Sequence, residues 1–261
     1  MDLGISGRVA LVLGAGGGLG SAIALSLARE GAVVFGCGSS SQRLEQTVER
    51  ARALGVTITP MVADLVDREA MTRVVASVKE RVGPISILVN MTGGPPPSAA
   101  AGVPADIWKT YFDSMVLPVF HLTDLVLPDM REQRWGRVIT SASSGVIAPI
   151  PNLGISNALR SALVGWSKTL ATEVGRDGVT ANVVLPGRVA TGRIVSLDTA
   201  KAEREGRPVD DIVAQSLGTI PVGRYGTPAE YGDVVAFLAS ERASYINGSV
   251  TRVDGGMIPS I

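Results

Sequence analysis

Short apolar runs rich in β-branched residues alternate along this chain with longer amphipathic stretches. "RVALVLG" is followed by a helical pattern from about Leu19, "AVVFGC" by "SQRLEQTVERARAL", and "TITPMVAD" by "DREAMTRVVASVKERV". The rhythm continues through "ISILVN", "GRVITSA" and "VTANVVLPG" and closes on "SVTRVDGG". About seven strands are expected, parallel and joined by crossover helices that cover both faces. The fold class is therefore α/β, a doubly wound parallel sheet. No repeat, low-complexity linker or shift in composition marks a second domain, so one domain is expected over residues 1–261. The long piece from Arg193 to Gly226 breaks the rhythm, with polar helical segments around "DTAKAEREG" and "VDDIVAQSL". A connection of this length inside a domain reads as a lid, at about 193–226.

Composition narrows the partners. The chain has 24 Lys and Arg against 24 Asp and Glu, a formal net charge of zero, so no global field recruits nucleic acid or an anionic membrane. Hydrophobic residues make up 46%, yet Gly, Pro or charged residues interrupt every apolar run before the roughly 18 residues that a membrane span needs. The single Cys37 cannot form an internal disulfide, and the first residues lack the layout of a signal peptide, so a cytoplasmic protein acting on small molecules is expected. No cluster of metal-ligating residues stands out, and no metal is expected.

"LGAGGGLGSAIALSLA" follows the first strand and opens a helix. In that position a glycine string lets backbone approach a pyrophosphate closely, with the helix N-terminus facing it. The spacing, Gly14 then Gly18 and Gly20, is G-x-x-x-G-x-G and differs from the G-x-G-x-x-G of other dinucleotide folds of the Rossmann type. With this motif go "VADL", "LVNMTGG", "LPGRVAT" and the closing "PVGRYGTPAEYGDVVAFLAS" and "YINGSVTRVDGG". On these stretches the chain resembles the short-chain dehydrogenase/reductase superfamily, near the 3-oxoacyl-acyl-carrier-protein reductases, from about residue 3 to 257. The resemblance implies an oxidoreductase that holds NAD or NADP through Gly14, Gly18, Leu19, Gly20, Ser39, Asp64, Leu65, Asn90, Gly93, Arg160, Pro186, Gly187 and Thr191. It departs from the pattern at Leu13, where the family has Thr, and at Met91 and Thr92 inside the family's N-N-A-G. "GCGSSSQR" at the end of the second strand carries no acidic residue for a ribose 2′-hydroxyl, and its serines and Arg43 read equally as a 2′-phosphate site or as a turn and a solvated helix. The choice between NAD and NADP stays open.

The chemical end departs further. The family reduces a carbonyl with a Tyr proton donor, a Lys that lowers its pKa, a Ser that holds the substrate oxygen and an Asn that anchors a water relay. Aligning on "GRVITSAS" places the serine at Ser143, but the tyrosine and lysine positions fall in "SNALR" on Ser156 and Arg160, and the asparagine position is Met115. Arg offers donors only and stays charged, so Arg160 orients but does not titrate. A Ser hydroxyl ends about 4 Å short of a Tyr hydroxyl, so Ser156 reaches a substrate oxygen only through water. The candidate catalytic set is therefore Ser143, Ser156 and Arg160. Tyr111, His121, Lys168 and Tyr225 are outside candidates for a displaced donor, each with a structural reading that is favoured.

"VIAPIPNLGIS" and the proline-braced "NMTGGPPPS" suggest apolar walls and a stiff floor, suited to a substrate with an apolar body. Two functions remain: an NAD(P)-dependent oxidoreductase with a relayed or substrate-derived proton, or a dinucleotide-binding protein without redox turnover, a sensor or structural partner. Apolar excess on "WKTYFDSMVLPVFHLTDLVLP" and "ALVGWSKTLATEV" points to a homotetramer, with a homodimer as the alternative.

Overall fold

The computed structural model describes residues 1–261. Five aliphatic residues, all buried, form β1 (Val9–Leu13). The chain then runs through α1 (Gly18–Arg29), β2 (Val33–Gly38), α2 (Ser41–Ala53), β3 (Ile58–Val62), α3 (Arg68–Val82) and β4 (Ile87–Asn90). The second half holds α4 (Ala105–Met115), α5 (Leu117–Glu132), β5 (Gly136–Ser141), α6 (Gly154–Val174) and β6 (Val179–Pro186), then α7 (Gly192–Glu205), α8 (Val209–Gly218), α9 (Pro228–Leu238) and β7 (Val250–Val253). All strand pairs are parallel and the seven strands form one sheet, as the alternating pattern predicts; their order is β3-β2-β1-β4-β5-β6-β7.

Period-two alternation splits the core into two layers. Ala10, Val12, Ile87, Val89 and Ile139 face Ile23, Leu27, Tyr231 and Val235 of α1 and α9. Val9, Leu11, Leu13, Leu88 and Val138 face Met71, Val74, Leu122, Val126 and Leu170 of α3, α5 and α6. Strands covered on both sides are largely apolar: β1 is aliphatic throughout, while β5 is fully buried yet carries Arg137, Thr140 and Ser141, of which Arg137 and Ser141 hydrogen-bond inside the core. The order reverses between β1 and β4, and their carboxyl ends diverge there into the crevice where open parallel sheets bind ligands.

The segment expected as a lid forms two helices, α7 and α8, where the polar helical stretches are expected. A buried carboxylate holds it: Asp198 on α7, 2% exposed, accepts from Arg188 Nη1 at 2.7 Å and from the Tyr225 hydroxyl at 2.8 Å. Arg188 and Tyr225 flank the segment in sequence, so this one side chain draws both ends of it together. A bridge between Val189 and Gly226 closes the same loop. The substitution Asp198→Ala leaves a cation and a phenol without their acceptor. Loss of about 1–3 kcal/mol in urea unfolding is expected, with faster proteolytic cleavage between residues 193 and 226.

Candidate functional site

The turn after β1 is built by close approach. Gly14 has φ +65°, and a Cβ on Gly20 would lie 2.2 Å from the Gly14 carbonyl oxygen. Only glycine allows α1 to start so soon after the strand, with its first turn lacking any side-chain cap. The free N–H groups and the positive end of the helix dipole therefore face the crevice. A Cβ on Gly18 would fall 2.7 Å from Thr191 Cγ2, so the first turn of α1 touches the N-cap of α7.

From this turn a cavity of about 410 Å³ runs along the carboxyl ends of the strands. Gly14, Ser39, Asp64, Leu65 and Gly93 line it, together with Arg43, Met91, Thr92, Tyr111 and Met115. Asn90 lies beneath, wholly buried. Its amide nitrogen donates to Thr123 Oγ1 at 3.4 Å, while its Oδ1 has no partner. The Thr92 hydroxyl is likewise buried and unpartnered. Pro186 and Gly187 end β6 against β7, where the Gly187 amide donates to the Val253 carbonyl at 2.9 Å. A glycine cradle, a bare helix N-terminus and orphaned buried polar atoms fit an elongated polyanionic ligand such as a dinucleotide.

Arg160, half-buried on α6, joins the ends of two strands. Its Nη1 donates to the Ser141 carbonyl at 3.4 Å, and its Nη2 to the carbonyls of Gly93 at 3.0 Å and Thr92 at 3.5 Å. Burial, and after it the charge of Arg193, push its guanidinium down to about 10, so it remains a cation at neutral pH. Ser143 caps the 3-10 turn at Ser144–Val146, its hydroxyl accepting from the Gly145 amide at 3.2 Å. Ser156 lies in the first turn of α6 and is 5% exposed.

Three of the four outside candidates for a displaced donor are otherwise engaged. Tyr225 donates to Asp198, and burial and that carboxylate raise its pKa. His121 Nε2 sits 3.2 Å from both Thr72 Oγ1 and the Arg68 carbonyl, joining α5 to α3. Lys168 donates to the Gly248 carbonyl at 3.2 Å. Tyr111 alone of the four lines the cavity.

Three features escaped the sequence reading. Tyr231, fully buried on α9, pairs its hydroxyl with Ser141 Oγ at 2.7 Å directly below the strand end that Arg160 holds, and burial pushes its phenol up. Its place in an apolar stripe gives it no sequence signal. Arg193 turns back toward Arg160, unforeseeable from a polar helix start. Ser98 stitches the two proline-rich loops together: its amide donates to the Asn152 carbonyl at 2.7 Å, its carbonyl accepts from Gly154 at 2.9 Å, and its Oγ accepts from the Ile155 amide at 3.3 Å. Because Leu153 offers α6 no side-chain cap, this remote serine serves in its place.

A doubly wound sheet with a glycine cradle at its switch point places the chain in a class, the dinucleotide-binding proteins of the Rossmann type. Within it, a family profile described as enoyl-(acyl carrier protein) reductase matches residues 14–258. The 3-oxoacyl-[acyl-carrier-protein] reductase of Pseudomonas aeruginosa is 34% identical over 258 residues, 98% of this chain and 99% of that protein. The enzyme of the same description from Thermotoga maritima is 32% identical over 256 residues, 97% of this chain and 99% of that one. Among solved structures, L-sorbose reductase from Gluconobacter frateurii complexed with NADPH and L-sorbose is similar with a TM-score of 0.93 at 31% identity, over 100% of both chains. An actinorhodin polyketide ketoreductase with NADPH gives 0.92 at 30% identity, over 97% of this chain and 98% of that one. The chain belongs to the short-chain dehydrogenase/reductase superfamily and is 3-oxoacyl-acyl-carrier-protein reductase-like.

The contact between Gly18 and Thr191 gives a direct check on the cradle. The substitution Gly18→Leu overpacks it by about 1–3 kcal/mol. NADPH affinity measured by calorimetry should fall about 10- to 100-fold, with the circular dichroism spectrum unchanged.

Proposed function

We propose that this chain reduces a carbonyl or oxidises an alcohol on a small substrate with an apolar body, using an atypical site of Ser143, Ser156 and Arg160. The observation that carries the reading is the position of Arg160: a buried-side cation tied to Thr92, Gly93 and Ser141 at the carboxyl ends of β4 and β5, beside the dinucleotide cradle. When bound, the dinucleotide supplies or accepts a hydride at its nicotinamide ring. Gly14, Gly18, Leu19 and Gly20 take its phosphates, Asp64 and Leu65 its adenine end, and Asn90, Gly93, Pro186, Gly187 and Thr191 the nicotinamide end. Arg160 holds the ribose side and stabilises negative charge as it develops on the substrate oxygen, without giving up its own proton. Ser143 offers a hydroxyl to that oxygen. Ser156, nearly closed off, positions a water, and the proton comes from solvent or from the substrate.

Arg43 favours NADP over NAD in this reading. It lines the cavity with Ser39 and Ser40, no carboxylate stands at the end of β2 to repel a 2′-phosphate, and the Asp64 carboxylate accepts from the Val66 amide. The exposed Ile107 and Phe112 of α4 support assembly as a homotetramer, or failing that a homodimer. No helix is long and apolar enough to cross a membrane.

Two measurements test the reading. NADPH is expected to bind at least about 10-fold tighter than NADH, and Arg43→Ala to erase the difference, since a hydrogen bond to a charged group is worth about 1.5–3 kcal/mol. In stopped flow, loss of reduced-nicotinamide absorbance with a panel of carbonyl compounds should be slow. Installing Ser156→Tyr and Arg160→Lys together should raise it about 10²- to 10⁴-fold, the usual contribution of a positioned general acid. Binding with no absorbance change, before or after the double substitution, would favour a non-redox dinucleotide sensor.

A further inference from the structure

Ser141 stands where the sheet comes apart. β5 keeps its register with β4 as far as Thr140, paired with Asn90, and with β6 as far as Ser141 itself, paired with Val184. Past Asn90 and Thr140 the β4–β5 ladder stops, and Arg160 spans the opening from the Ser141 carbonyl to those of Thr92 and Gly93. That contact reaches Ser141 from α6. From α9, on the other face of the sheet, Tyr231 meets the Ser141 hydroxyl at 2.7 Å.

The phenol fixes this strand end from below. Its single proton goes to the Val184 carbonyl at 3.2 Å, so its oxygen accepts from the Ser141 hydroxyl. The same carbonyl takes the Ala142 amide at 2.9 Å, which ties β5 to β6 at one point. Tyr231 thus closes a triangle with Ser141 and Val184 across two strand ends. Its own place is set by the start of α9, where Thr227 and Glu230 form a reciprocal capping box one turn earlier. Replacing both hydroxyls by apolar groups of the same shape can be nearly neutral for stability. Folding alone does not call for the pair, whereas a fixed Ser141 does.

We propose that Tyr231 is a positioning residue for the nicotinamide end of the site: by holding Ser141 against Val184 it sets the carbonyl on which Arg160 rests, and through it the guanidinium. This rests on the oxidoreductase reading, which gives Arg160 the ribose side and the developing charge on the substrate oxygen. Tyr231 touches neither dinucleotide nor substrate, and its proton takes no part in the reaction. The adenine end of the cavity, at Ser39, Arg43, Asp64 and Leu65, follows β2 and β3 on the far side of β1 and β4, beyond the influence of this contact.

The test is calorimetric titration of the full chain with NADPH and with 2′,5′-ADP, which carries the adenine end and no nicotinamide. Tyr231→Phe should weaken NADPH about 5- to 10-fold and leave 2′,5′-ADP within about twofold. Ser141→Ala should reproduce most of the NADPH loss and add little on top of Tyr231→Phe, as groups acting through one bond do. In an Arg160→Ala background, Tyr231→Phe should cost almost nothing further. Thermal melts check that each variant is folded. Equal loss for the two ligands, or no loss for either, would reduce Tyr231 to a core side chain and overturn the proposal. So would an undiminished effect of Tyr231→Phe in the Arg160→Ala chain. If the unsubstituted chain does not bind NADPH, the oxidoreductase reading falls and this proposal falls with it, whereas the other two outcomes leave that reading standing.

Discussion

Gly20 packs so tightly on Gly14 that no other residue fits between the end of the first strand and the start of the first helix. That contact sets where α1 begins, and with it the direction in which its free N–H groups point. It also brings the helix down onto the sheet, so that Ile23 and Leu27 reach the layer they share with α9. The neighbouring strand accommodates the same squeeze: a Cβ on Gly36 of β2 would sit 2.9 Å from the Ala15 methyl. Fold and crevice thus rest on one steric condition.

Chemistry at the far end of the crevice depends on a different kind of bond. A lysine at position 160 would place a point charge there and could exchange its proton; the guanidinium instead spreads over three carbonyl groups and stays charged. It serves as a beam between the ends of β4 and β5. Beneath it, Tyr231 and Ser141 close a hydrogen bond in the core, with the tyrosine hydroxyl also reaching the Val184 carbonyl at 3.2 Å. A phenol is therefore present in this neighbourhood, but on the buried side of the sheet and with its proton committed.

What the sequence revealed and what it hid follow a physical division. The parallel strands, the two-layer core and the cradle were legible because they depend on local regularities: uninterrupted aliphatic runs, helical spacing, and glycines where backbones collide. Asp64, Leu65 and Gly93 sit on the cavity for the same reason, since each lies two or three residues after a strand whose end is fixed by the sheet. Long-range side-chain contacts leave no such trace. Arg193 approaching Arg160, Tyr231 meeting Ser141 across 90 positions, and Asp198 gathering both flanks of the helical excursion depend on how rigid elements are stacked. The sequence favours a structural role for Tyr225 without revealing its acceptor, which lies on another helix.

The seam at Ser98 couples two stretches of chain that are more than fifty positions apart, and its register is fixed by backbone, with Gly154 pressed against the Ala99 carbonyl and the Ala100 backbone. Neither loop can gain or lose a residue alone without unzipping that seam and uncapping α6. Relatives that carry this architecture should therefore show insertions and deletions in the two loops as matched pairs, so that the width of the substrate entrance drifts through evolution in coordinated steps.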